Sequence, residues 1–277
     1  MKKLKLFFKL LSVVVAVLLL ALAAFIFTFD PNNYKEQITA QVEKQTGRDF
    51  EIAGDISLSV FPWIGVKVEQ VKLANAKGFS EAAFARITQL DIKVMLLPLL
   101  RKELQVDKVR LHGLFASLEV DKDGNNNWTD LVTQEKPEAQ AAEKAPEAEQ
   151  GPPIAALAIN GIELVDATLT WNDAANDVHS SLSGFNLTTG AVRFNEPVDV
   201  RLDTAIKHNE PQLDALLQLN TKLTFNEAFT NILLAALTLN VSANAPGMLN
   251  EQLDLLLQSD INIDIDQQIA TLSNTRL

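Results

Sequence analysis

Val66-Lys67-Val68-Glu69-Gln70-Val71-Lys72-Leu73 decides the fold class. Apolar and polar residues alternate, slip by one place at Glu69-Gln70, and alternate again. Period two marks a strand with one dry and one wet face. The slip is what a β-bulge or strand bend produces. The same frame recurs as Leu104-x-Val106-x-x-Val109-x-Leu111 and as Leu157-x-Ile159-x-x-Ile162-x-Leu164, at offsets of 38 and 53 residues. Alternation continues after the second copy through Leu118 and Val120, and after the third through Leu169 and Trp171.

Upstream of the first copy, Ile52, Ile56, Leu58 and Val60 share one phase, and Pro62 breaks the strand. Downstream of the third, Val198, Val200 and Leu202 lead to a His208-Asn209-Glu210-Pro211 turn. Leu213 to Leu223, Leu237 to Val241, Leu253 to Leu257 and Ile261 to Ile265 follow in the same style. Two stretches are ambiguous. Phe84, Ile87 and Leu90 suit a helix, whereas Leu90, Ile92 and Val94 suit a strand, so 80–100 reads as a short helix or loop passing into a strand. The stretch 225–236 reads as a short helical crossing. Glu, Lys, Ala and Pro dominate 134–153, which has no hydrophobic period and reads as a disordered insertion between strands.

The start of the chain is different. Leu10 to Phe29 carries no charge and only Ser12 and Thr28 as polar residues, behind Lys2, Lys3, Lys5 and Lys9. As a helix it would be about 30 Å long, the thickness of a bilayer's hydrocarbon core. Lysines at one end keep the short N-terminus cytoplasmic and send the rest across. Ala21-Leu22-Ala23 resembles a signal-peptidase site. The apolar run nevertheless continues to Phe29, so a retained anchor is expected, with Phe25, Phe27, Phe29 and Trp63 as membrane-interface candidates beside the four lysines. Asp30-Pro31 then opens a helix through an N-cap acceptor and a proline at the first position, and Gly47 closes it. The expected organisation is a cytoplasmic segment 1–9, an anchor 10–29, a β domain with its leading helix 30–133, the insertion 134–153, and a continuing β region 154–277. Strand patterning still runs at Leu277, as in the front part of a longer protein.

Composition narrows the chemistry. The chain has no cysteine, which removes disulfides, thiolate metal sites and cysteine nucleophiles together. Its net charge is −11, and beyond the four leading lysines −15, with no basic stripe, which argues against nucleic acid. His112, His179 and His208 have no second metal-ligand type at helical or hairpin spacing. Asp121-x-Asp123-Gly124-Asn125 lacks the later ligands of a calcium loop and reads as a hairpin turn. Neither a G-x-S-x-G elbow nor a phosphate-binding G-x-x-x-x-G-K-[ST] loop is present. No catalytic set, metal site or cofactor is expected, and the chain is not read as an enzyme.

A dry sheet face needs a cover, and one narrow helix at 31–46 is too little for about a dozen strands at roughly 4.8 Å spacing. The sheet folds on itself as a sandwich or barrel, pairs with another chain, or stays a curved trough filled by lipid tails. Periodicity alone ranks the sandwich or barrel first.

Residues 1–132 resemble the N-terminal part of the AsmA family of Gram-negative envelope proteins. The likeness rests on the anchor, Thr46-Gly47-Arg48, Gly54-Asp55-Ile56-Ser57-Leu58-Ser59, Phe61-Pro62-Trp63, Val66 through Asn75, Gly78-Phe79, Leu97-Pro98-Leu99-Leu100 and Gly124-x-x-Asn127-Trp128. It implies an inner-membrane anchor, a periplasmic body and a mainly β fold: a curved, mostly antiparallel β-sheet groove that conducts phospholipid and supports outer-membrane biogenesis. The candidate groove residues are Ile56, Leu58, Val60, Val66, Val68, Val106, Val109, Leu111, Ile159, Ile162 and Leu164. The partners it implies are membrane phospholipid and a periplasmic or outer-membrane protein. The competing reading is an anchored β-sandwich that serves as a scaffold for assembly factors.

Overall fold

The computed structural model describes residues 29–59, 63–95, 98, 105–132 and 158–277. Within them one 13-stranded sheet forms: β1 (Phe50–Ile52), β2 (Ile56–Ser59), β3 (Trp63–Leu73), β4 (Ala85–Met95), β5 (Gln105–His112), β6 (Phe115–Val120), β7 (Ala158–Asp173), β8 (Val178–Thr189), β9 (Val198–His208), β10 (Leu213–Phe225), β11 (Asn231–Asn244), β12 (Leu253–Asp264) and β13 (Ile269–Arg276). The hydrogen-bonded path is β1-β3-β4-β5-β7-β8-β9-β10-β11-β12-β13, with β2 beside β3 and β6 beside β4 and β7. Eleven strands at 4.8 Å spacing make a sheet about 50 Å across.

Pairing is antiparallel except at one junction. Both β5 and β6 run parallel to β7. A parallel neighbour needs a long crossover, and residues 121–157 supply it. The insertion proposed at 134–153 falls within this connection and outside the described residues.

The leading helix begins as expected. Asp30 accepts from the backbone N–H of Asn32 at 2.9 Å, and a 3-10 turn over Pro31–Tyr34 passes into helix α1 (Lys35–Thr46). Gly47 ends it at φ +69°, a left-handed cap that favours glycine. The Asn32 side chain fastens the helix start to β2 like a short strand, accepting from Ile56 N at 2.9 Å and donating to Ile56 O at 3.2 Å. Tyr34 and Ile38, four residues apart and so on one side of the helix, are exposed. The helix lies against β1 at the sheet's first edge and covers neither face.

Residues 80–84 are irregular and lead into one strand, β4, over 85–95, which is the loop-into-strand alternative read from the sequence. Two expectations are corrected. The stretch 225–236 holds a tight turn at 226–230 and the start of β11, not a helical crossing. No second sheet packs on the first: among the described residues, strands pack against their hydrogen-bonded neighbours, so the sandwich ranked first on periodicity gives way to an open, curved sheet. No described helix is long and apolar enough to cross a membrane; the Leu10–Phe29 run, Phe29 apart, lies outside the described residues.

Candidate functional site

Directly opposed residues on paired strands share a face. Starting at β2, the register links Ile56 to Val68, Val68 to Leu90, and Leu90 to Leu111. Leu111 lies in parallel register with Leu164, which opposes Leu187. Leu187 opposes Leu202, then Leu219, Leu239 and Leu257 continue the row. One aliphatic residue from each of ten strands therefore forms an unbroken ladder. Charged side chains take the other face, where Arg110 meets Glu163 at 3.2 Å and Lys222 meets Asp199 at 3.1 Å across neighbouring strands.

Nothing described covers this apolar face, and its exposure shows it. Val66 is 40%, Leu169 39%, Leu253 43% and Leu272 54% exposed. Other positions on the same uncovered face are enclosed: Ala167, Thr204, Thr221, Leu237 and Ser259 are all under 8% exposed. Without a covering layer, a side chain is enclosed only where the sheet folds toward it, so the face is concave there.

The enclosed positions accompany two rows of backbone irregularities. One row passes through Gln70 (φ +51°), Gly113 (+58°), Asp166 (+53°) and Gly184 (+56°) to Thr204. The other passes from Gly161 (φ +151°) by Thr189 and Thr221 to Ala236 (+51°), Ser259 and Asn274 (+54°). Each bulge restores the apolar phase after an extra residue, so the dry face survives the bend.

A buried polar node closes the first end of the sheet. Arg48, with its side chain 2% exposed, forms a fork with Asp130, Nε to Oδ2 at 2.9 Å and Nη2 to Oδ1 at 2.5 Å. Its Nη2 also donates to Asn127 O, and its guanidinium lies 4.6 Å from the centroid of the Phe84 ring. The Arg48 side-chain bond holds the Asp130 carboxyl below the usual carboxylate range. Asn127, fully buried, accepts from Glu119 N and donates to Asn75 Oδ1 and Ser117 O. A 750 Å³ cleft opens beside it, lined by Gly47, Arg48, Asn75, Lys77 and Asp130 among others.

Among the described residues no three His, Asp or Glu side chains gather to hold a metal. Asp121 accepts from the backbone N–H groups of Asp123 and Asn125, the hydrogen bonds of a tight turn. His179 bonds Asn172, while His208 bonds the Ser180 hydroxyl at 2.6 Å and Glu210 O at 2.7 Å.

The model of the AsmA family matches residues 1–273, nearly the whole chain. The chain belongs to the AsmA family. It is also similar to Protein AsmA of Escherichia coli (strain K12), with 28% identity over 108 residues, 39% of this chain and 17% of that protein. The match thus spans about a sixth of the curated relative's length.

Three of the AsmA-family motifs quoted from the sequence, those holding Arg48, Asn75 and Asn127, meet in space. Arg48 of Thr46-Gly47-Arg48, Asn75 and Asn127 are the members of the polar node. Trp128 stacks at a tilt on Trp171, centroids 5.4 Å apart. All the described groove candidates share the dry face: Ile56 and Val106 are buried, Leu58 and Val66 exposed, and Val68, Val109, Leu111, Ile159, Ile162 and Leu164 half-buried. Val60, Phe25, Phe27 and Lys2, Lys3, Lys5 and Lys9 lie outside the described residues. Trp63 opens β3 opposite Met95, and Phe29 stacks on Tyr34 at 5.5 Å. Leu187, Leu202, Leu219, Leu239 and Leu257 were not among the candidates, although period-two spacing marks each as apolar-phase; only the pairing order shows that they continue one row.

Proposed function

We propose that this AsmA-family protein is anchored in the inner membrane, projects into the periplasm, and binds or conducts phospholipid along the concave dry face in support of outer-membrane biogenesis. The observation that carries the reading is the ten-residue aliphatic ladder left without a protein cover. Contiguous apolar surface left uncovered over this extent marks a binding surface. An acyl chain gains about 0.8 kcal/mol per methylene removed from water, so tails shield the ladder while head groups stay wet. Apolar contact also suits an acidic chain, which gains nothing from an anionic lipid surface. Partners in the periplasm or outer membrane would receive the lipid.

Site-specific photocrosslinking tests this. A photoreactive side chain at Leu219 on the ladder should capture phospholipid, and one at its exposed neighbour Asn220 on the wet face should not. Equal labelling at both positions, or none at Leu219 in folded protein, defeats the reading. The scaffold reading needs a packed β-sandwich, and no second layer among the described residues favours it.

A further inference from the structure

Three of the bends share one piece of stereochemistry. The Thr204 hydroxyl donates to Ser183 O at 3.2 Å, immediately before left-handed Gly184. The Thr221 hydroxyl donates to Ala235 O at 3.1 Å, immediately before left-handed Ala236. The Ser259 hydroxyl donates to Ser273 O at 3.2 Å, immediately before left-handed Asn274. In each case a strand residue on the dry face reaches the neighbouring strand and binds the carbonyl of the residue just before the left-handed one. Each of the three hydroxyl residues is at most 7% exposed.

A second bond reinforces the arrangement from the other side. Asp260 accepts from the backbone N–H of Ala236 at 2.7 Å and from the Asn274 side chain at 2.6 Å, so one carboxylate ties two bulges on either side of β12. At the other row, the Asn186 side chain accepts from Asp166 N at 2.9 Å.

We propose that Thr204, Thr221 and Ser259 are positioning residues that lock the sheet in its concave form, so that the trough is preformed by side-chain-capped bulges and not shaped by its occupant. A bulge alone permits a bend, whereas the buried hydroxyl adds a bond at the bend that strands paired without the bulge would lose. The lock stands whether or not lipid fills the face.

The absence of cysteine makes the test clean. Glu227, in the β10–β11 turn, and Glu251, between β11 and β12, are exposed and lie on opposite sides of the second row. E227C and E251C accept spin labels in the full chain after delipidation, and the label-to-label distance reports the angle between the walls. The expected result is a narrow distribution in the parent and in T221S, which keeps the hydroxyl. T221V, and more so T221V with S259A, gives a longer and broader one while far-UV circular dichroism stays β-rich. Parent-like distances in folded T221V, or T221S opening the sheet as far as T221V, overturn the proposal; T221V alone decides if the double variant does not fold. Because no lipid is present, failure of lipid capture at Leu219 defeats the functional reading and leaves this result standing.

Discussion

Val109 of β5 and Ile162 of β7 lie side by side in parallel register, although 53 residues separate them in the chain. Their neighbours match likewise, Val106 with Ile159 and Leu111 with Leu164. The second and third copies of the sequence frame are thus adjacent strands that place like residues on one dry face. A carboxylate there would be solvated by neither protein nor acyl chain. V109D and I162D should therefore reduce co-purified phospholipid while the protein still accumulates, read by mass spectrometry of extracted lipid. Unchanged lipid in well-folded variants contradicts the trough.

Asn127 should be a stability residue. It is 0% exposed, and its side chain serves Glu119 N, Ser117 O and Asn75. N127A removes the side-chain partners of the buried Ser117 O and the half-buried Glu119 N–H, at a cost of about 2–4 kcal/mol. Urea denaturation should show a lower midpoint with the slope unchanged.

Acid sensitivity follows from Arg48 and Asp130. The Asp130 carboxyl is held below its ordinary value first by the Arg48 side-chain bond. A depressed carboxylate contributes stability above its unfolded pKa, and that contribution is lost as pH falls through the folded value. Stability should drop below about pH 4 more steeply in the parent than in D130N. Parallel curves for the two proteins, measured by urea midpoint against pH, contradict this assignment.

Two glycines separate backbone strain from crowding. Gly184 sits at φ +56° with open space where a Cβ would go, whereas at Gly161, φ +151°, a Cβ would lie 2.7 Å from Thr189 O. G184A should cost about 1–2 kcal/mol. G161A adds a clash with backbone and should cost about 2–4 kcal/mol. Thermal melts of the two variants check the order.

The strands and their slip were legible in sequence, because period two and the doubled polar step are local. One stretch was misread as helix and another left open between helix and strand, for the same reason. In β4 the step from Ile87 to Leu90, and in β11 the step from Leu234 to Leu237, is three residues. A bend or bulge in a strand produces that spacing and so does a helical turn, and nothing local distinguishes them. Pairing order was not legible either: β7 lies beside β5 and β6 after a long crossover, and hydropathy does not encode which strand a returning segment meets. The polar node escaped for the same reason. Arg48 and Asp130 are 82 residues apart, and separately they look like ordinary surface charges.

The two rows of bulges have a further geometric consequence. On β9 the first row stands at Thr204 and the second at Val200, on either side of the Leu202 rung. Four residues at about 3.3 Å each displace the deepest line by roughly 13 Å along the strands. The floor therefore crosses the sheet as a diagonal. Under the proposed reading, an acyl chain lying along it would run from one set of hairpins toward the opposite set, so that length along the sheet is also displacement from one rim to the other.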